Sequence, residues 1–151
     1  MFSLEDFVRE SNRIEGILRE PTVDEINAHL GLLALNKLTV QDILAFVEIV
    51  APGKPLRNRA GMNVRVGGHV APSGGRQIEI NLMLLLAKVS KRAPFPTPHR
   101  AHCNYEALHP FMDGNGRSGR AIWLWMMGGI ENAPLGFLHH FYYQTLSEQR
   151  T

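Results

Sequence analysis

His109-Pro110-Phe111-Met112-Asp113-Gly114-Asn115-Gly116-Arg117-Ser118-Gly119-Arg120 runs directly into Ala121-Ile122-Trp123-Leu124-Trp125-Met126-Met127. The second half is apolar all round, which predicts a buried helix, closed by Gly128-Gly129. The first half gives that helix a glycine-rich approach. Gly114 and Gly116, interleaved with Asn115, let the backbone curl so that several N–H groups face one concavity, where the helix dipole adds positive potential. Arg117 and Arg120 are three residues apart, hence on one face of the first turn, and their guanidinium forks suit phosphate oxygens in two directions. A polyphosphate fits such a place better than a carboxylate does. Asp113 beside it would repel the anion unless a hard cation such as Mg²⁺ bridges the two. His109, at the loop's edge, is the side chain best placed by its intrinsic pKa to take a proton near neutrality. Taken singly, these residues also read as a turn, a packed histidine and solvated charges. As a set within twelve residues they have little structural use, because buried arginines and an unpaired aspartate are costly.

Outward from this loop the periodicity is helical almost everywhere. Upstream, Thr97 with Pro98 at the first helical position starts a helix carrying Ala101, Tyr105 and Leu108 on one side. Asn81 reads as the cap of a helix through Leu82–Leu86 to about Arg92, broken by Ala93-Pro94-Phe95-Pro96. Between Leu56 and Ile80 the period changes: Val64 and Val66 alternate with polar residues, glycine pairs follow, then Ile78 and Ile80 alternate, which predicts a small hairpin. Thr39 opens a helix with Val40, Ile43, Leu44, Val47 and Val50 on its apolar face, and Thr22 with Glu25 forms a capping box for a helix over 23–35. The first helix has Leu4, Phe7, Val8, Ile14 and Leu18 at three-and-four spacing and ends before Pro21. A last helix is expected from Leu135 to Glu148, with His139 and His140 at the surface. No internal repeat or linker appears, so residues 1–151 read as a single, mostly helical domain.

Composition narrows the function classes. With 44% hydrophobic and 20% charged residues the chain is ordinary globular material, and at 151 residues it can bury a sizeable core. A formal charge of +2 does not announce a nucleic-acid binder, so any anion site must be local. The single cysteine, Cys103, rules out an internal disulfide and a multi-cysteine zinc site, and fits a reducing compartment. Acidic residues in the opening stretch do not suit a signal peptide, and no apolar run approaches bilayer length; the expectation is a cytoplasmic protein with no membrane partner. His99, His102 and His109 with Asp113 lack a zinc-hydrolase pattern, and His99 and His102 read as structural.

The loop resembles the signature of the Fic proteins, His-Pro-Phe-x-Asp-Gly-Asn-Gly-Arg-x-x-Arg, with every defined position present in His109–Arg120. The resemblance extends upstream through Ala101, His102, Tyr105 and Leu108 and covers roughly residues 1–130. It implies a mainly α fold, a Fic-type helical bundle with a small β-hairpin flap in the region 62–80. It also implies a protein adenylyltransferase that binds ATP and Mg²⁺ and transfers AMP to a Tyr, Thr or Ser hydroxyl of a target protein. Carried over by position, His109 would be the base, Asp113 would hold Mg²⁺, and Gly114, Asn115 and Gly116 would form the anion hole. Arg117 would bind the phosphates, Arg120 would grip the γ-phosphate, and Phe111 would anchor the loop in the core. In the family the flap pairs with the target by strand addition; here Val64, Arg65, Val66 and Gly67 are its expected strand.

Ser11 and Glu15 lie four apart beside the apolar stripe of the first helix, so a carboxylate borders the core. A glutamate there ordinarily reaches water. Yet Ser11-Asn12-Arg13-Ile14-Glu15-Gly16 resembles the Fic inhibitory motif, whose glutamate pairs with the second arginine, here Arg120; Ile17 departs from the Asn that many such proteins have. The resemblance therefore implies an autoinhibited enzyme. Transfer of another nucleotide, removal of AMP, and a non-catalytic nucleotide-binding toxin–antitoxin or signalling module stay open beside it, as does a homo-oligomer.

Overall fold

A computed structural model describes residues 2–92 and 94–133. Six α-helices stand among them: α1 (Leu4–Ile14), α2 (Val23–Leu33), α3 (Val40–Val50), α4 (Arg76–Lys88), α5 (Pro98–Leu108) and α6 (Asn115–Met127). Two short strands, β1 (Arg65–Val66) and β2 (His69–Val70), separate α3 from α4. The fold is thus mainly α with a small hairpin. The helix expected from Leu135 to Glu148, with His139 and His140, lies outside the described residues.

Local sequence sets the helix starts. Ser3, Thr22 and Thr39 each accept from the backbone N–H three residues on, while Asp6, Glu25 and Asp42 reach back, three reciprocal capping boxes. Thr97 caps α5 with Pro98 in its first turn. Eleven residues of the thirteen in α6 are buried, and it packs against α1, α2, α3 and α5, the central position that its apolar sequence implies. The main core joins Ile43, Val47, Leu82, Tyr105, Phe111, Ile122 and Trp125. A second cluster sets Phe7 of α1 parallel to Trp123, ring centroids 6.4 Å apart.

Two expectations need correction. Ile78 and Ile80 are not in a strand: α4 begins at Arg76 after Gly75, and Asn81 lies inside it, its Oδ1 accepting from Gln77 Nε2 at 2.8 Å. Ile78, Leu82 and Leu86 form one buried stripe at intervals of four, and that burial decides for helix. The hairpin is accordingly confined to residues 65–70, with Arg65 opposite Val70 and Val66 opposite His69. Second, α1 stops at Ile14, and Leu18 is 77% exposed. Gly16, at φ +78, ends it: its N–H donates to Arg13 O and that of Ile17 to Asn12 O, both at 3.0 Å, the paired bonds of a Schellman turn.

Two buried histidines give the fold an acid limit. His29 lies edge-on to Phe7 and Phe46, and burial pushes its pKa down to about 4; burial and then the Arg120 charge push His102 down to about 3. Unfolded histidines take up protons near pH 6.5, so the unfolded chain binds more protons below that value. Stability is fully present above about pH 6.5 and declines toward pH 4, by roughly 2–3 kcal/mol per histidine at pH 4.5. Denaturant midpoints measured at pH 7 and 4.5 check this; equal midpoints would contradict it.

Candidate active site

The 109–120 loop is built by its own side chains. Asn115, 2% exposed, accepts from Phe111 N–H and donates to Phe111 O, both at 2.9 Å, folding the loop back on itself. Its amide is therefore engaged by the loop's own backbone. Phe111 is buried and makes a bridge to Leu56. Tyr105 and Ser118 share a hydrogen bond of 2.6 Å, and Ser118 Oγ donates to Gly114 O at 2.8 Å, tying α5 to the start of α6. Gly114 sits at φ +84 with Ala51 Cβ only 3.0 Å from where its own Cβ would stand, so conformation and space both require glycine.

No side chain caps α6, unlike α1, α2, α3 and α5, so its first N–H groups await an acceptor. Over that end lies the Glu15 carboxylate. A Cβ built on Gly116 would fall 2.0 Å from Glu15 Oε1, so the acid rests directly on the glycine. Oε1 also accepts from Arg120 Nη2 at 2.7 Å. Arg120 is 1% exposed, and its Nε and Nη2 donate to Ser11 Oγ at 2.8 Å and Ser11 O at 3.0 Å. Ser11, Glu15 and Arg120 thus form one contact between α1 and α6, while Gly16 stands outside it as the turn that ends α1.

The two arginines diverge. Arg117 turns to α3, where its Nη1 donates to Val50 O at the helix's C-terminus, and its Nη2 stands 3.8 Å from Asp113 Oδ2. Its Nε is buried without a hydrogen-bond partner. Asp113 is largely exposed; Oδ1 accepts from Gly114 N–H at 2.8 Å. Among the described residues no group of three His, Cys, Asp or Glu side chains could hold a metal by itself.

His109 caps the end of α5 at φ 50, ψ 62, a left-handed conformation that few non-glycine residues adopt. Its Nδ1 is buried and makes no well-formed hydrogen bond. Burial, followed by the charges of Arg57 and His69 and opposed by the Glu106 carbonyl and Glu15, holds its pKa below the ordinary histidine value. The expected flap residues divide: Arg65 and Val66 form β1, Val64 precedes it, and Gly67 is in the turn at φ +58.

The sequence profile of the Fic/DOC family matches residues 28–127, which run from the middle of α2 through α6 and include the whole loop. The chain belongs to this family. The Fic/DOC match begins after α1, so Ser11, Glu15 and Gly16 lie outside it. Curated relatives named "Protein adenylyltransferase Fic" include those of Drosophila persimilis, 30% identical over 128 residues that cover 67% of this chain and 23% of the relative, and of Drosophila ananassae, 30% identical over 131 residues covering 76% and 24%. The chain spans about a quarter of the length of these relatives. No solved structure matches it. Among the described residues no helix is long and apolar enough to cross a membrane.

Two contributors escaped the sequence reading of this Fic/DOC site. Arg57, fully buried, and His69, whose Nε2 lies 2.9 Å from Ala107 O, both bind the end of α5 beside His109. In the sequence both are loop residues indistinguishable from solvated ones.

Proposed function

We propose that the chain is an autoinhibited protein adenylyltransferase that transfers AMP from ATP to a Tyr, Thr or Ser hydroxyl of a target protein in the cytoplasm. The observation that carries this reading is the Glu15 carboxylate over the uncapped start of α6, 2.7 Å from Arg120: a protein anion held where a phosphate is best stabilised. The α6 N–H groups at Asn115 and Gly116, with the Arg117 guanidinium beside them, would receive the phosphates. Arg120 would take the γ-phosphate once Glu15 withdraws, because one guanidinium edge cannot serve both anions.

The chain's part in the reaction is to place and deprotonate. A hydroxyl of a target segment lying along the flap, at Val64–Gly67, attacks the α-phosphorus; the bond to pyrophosphate breaks, and the proton goes to His109. With Nδ1 buried, Nε2 is the nitrogen that would take that proton. Asp113, an exposed carboxylate beside the start of α6, would hold Mg²⁺, which when bound would supply charge neutralisation to the phosphates.

The test is label transfer from α-labelled ATP in the presence of Mg²⁺ and cell extract by the Glu15→Gly protein; failure to label any protein overturns the reading. Its pH profile adds a second check. His109 must be neutral to accept a proton, and its lowered pKa keeps it so at pH 7, so the rate stays level through neutrality. Measured as kcat/KM, which reports the free enzyme, it falls on the acid side with a midpoint below about 6.5. A midpoint above that value would remove His109 as the base.

A further inference from the structure

Arg57 is 0% exposed and ion-pairs with no carboxylate among the described residues; its fork is spent on four carbonyl oxygens. Nε donates to His109 O at 2.6 Å and Nη2 to Leu108 O at 2.9 Å. Nη1 donates to Met62 O at 3.0 Å and Pro72 O at 2.7 Å. The main chain of the same residue repeats the arrangement: Arg57 N–H donates to Pro110 O at 2.8 Å, and Gly75 N–H donates to Arg57 O at 2.9 Å.

Burying a guanidinium against neutral groups is costly, and burial lowers its pKa accordingly. The carbonyls compensate in a particular way. Leu108 and His109 are at the C-terminus of α5, the negative end of its dipole, and the last turn of that helix has no basic residue of its own. Met62 and Pro72 are the two feet of the β1–β2 ribbon. One planar fork therefore fixes the distance between both feet of the hairpin and the backbone of His109, whose left-handed conformation would otherwise relax. His69, from β2, adds a third grip at Ala107 O.

We infer that Arg57 is a positioning residue that locks the flap and His109 into one unit, so that a hydroxyl presented on the ribbon meets the imidazole in register. This rests on the proposed transferase reading, in which the flap carries the target segment and His109 takes the proton. A misplacement of about 1 Å between two such groups costs roughly 10²-fold in rate. Arg57 touches neither reactant, so its loss should act on turnover and leave nucleotide affinity alone.

The experiment places Arg57→Met and Arg57→Lys in the Glu15→Gly protein and measures turnover, ATP affinity and hydrogen exchange. Arg57→Met is expected to lower kcat about 10²-fold with ATP affinity kept within about threefold, while Arg57→Lys, with the charge but not the fork, falls in between. Exchange in residues 62–72 and 107–112 is expected to rise together, by about tenfold or more, with α6 still protected. Unchanged kcat, joint loss of kcat and ATP affinity with loosening of α6, or loosening of the flap alone would each overturn the inference. Should Arg57→Met fail to fold, the lysine variant decides by the same criteria. Should the Glu15→Gly parent transfer no label, the transferase reading fails, while exchange still decides whether Arg57 couples the two segments.

Discussion

With His109 replaced by alanine in the Glu15→Gly protein, transfer of label from ATP falls by about 10²–10⁴-fold, the range that a positioned proton acceptor contributes. The loss is confined to chemistry. The loop keeps its shape without the imidazole, because Asn115 holds the Phe111 backbone, Ser118 holds Gly114, and Arg57 binds the His109 carbonyl rather than its ring. ATP affinity, measured by calorimetry or a fluorescent analogue, accordingly stays within a few-fold. What survives of the rate comes from the α6 N–H groups and the arginines, which act on charge without moving a proton. Transfer at the parent's rate would take His109 out of the reaction; loss of binding along with rate would make it a structural residue.

Replacing Glu15 by glycine is expected to raise transfer by roughly tenfold to fiftyfold over the unaltered chain. A hydrogen bond to a charged group contributes about 1.5–3 kcal/mol, and the lower half of that range applies to a carboxylate side chain 31% exposed. Arg120 does not lose its place when the acid goes, since Ser11 Oγ and Ser11 O still hold it. The variant should therefore stay folded, melting below the parent because a buried guanidinium has lost its carboxylate, while binding the triphosphate more productively. Label counted on lysate proteins and on the chain itself, for both forms at equal concentration, checks this; equal counts would end the inhibitory role of Glu15.

What the sequence disclosed follows from how local each signal is. Thr22, Thr39 and Thr97 cap through bonds three residues long, and the apolar run of α6 has only one reading, so those elements were legible. The loop was legible because its residue types are costly in any other company. Ile78 and Ile80, spaced by two, suit a strand as well as a helix, and only the burial of Ile78 with Leu82 and Leu86 decides. The early end of α1 was written in Gly16, yet Leu18 continued the helical spacing and masked it. Asn115 entered the anion hole by the resemblance alone, and nothing in the sequence shows that its amide is used on Phe111. Arg57 left no trace because its partners are main-chain oxygens, which every residue has.

The parallel seating of Phe7 on Trp123 bears on how the proposed block at Arg120 would be lifted. Phe7 and Val8 are 0% exposed, so peeling α1 away would bare an aromatic floor at the middle of the molecule. Release that keeps the molecule intact therefore swings only the tip around Glu15 and leaves the rest of α1 seated. A chain trimmed back past Phe7 would report collapse of this wall, whereas a change at residue 15 alone would report the proposed gate.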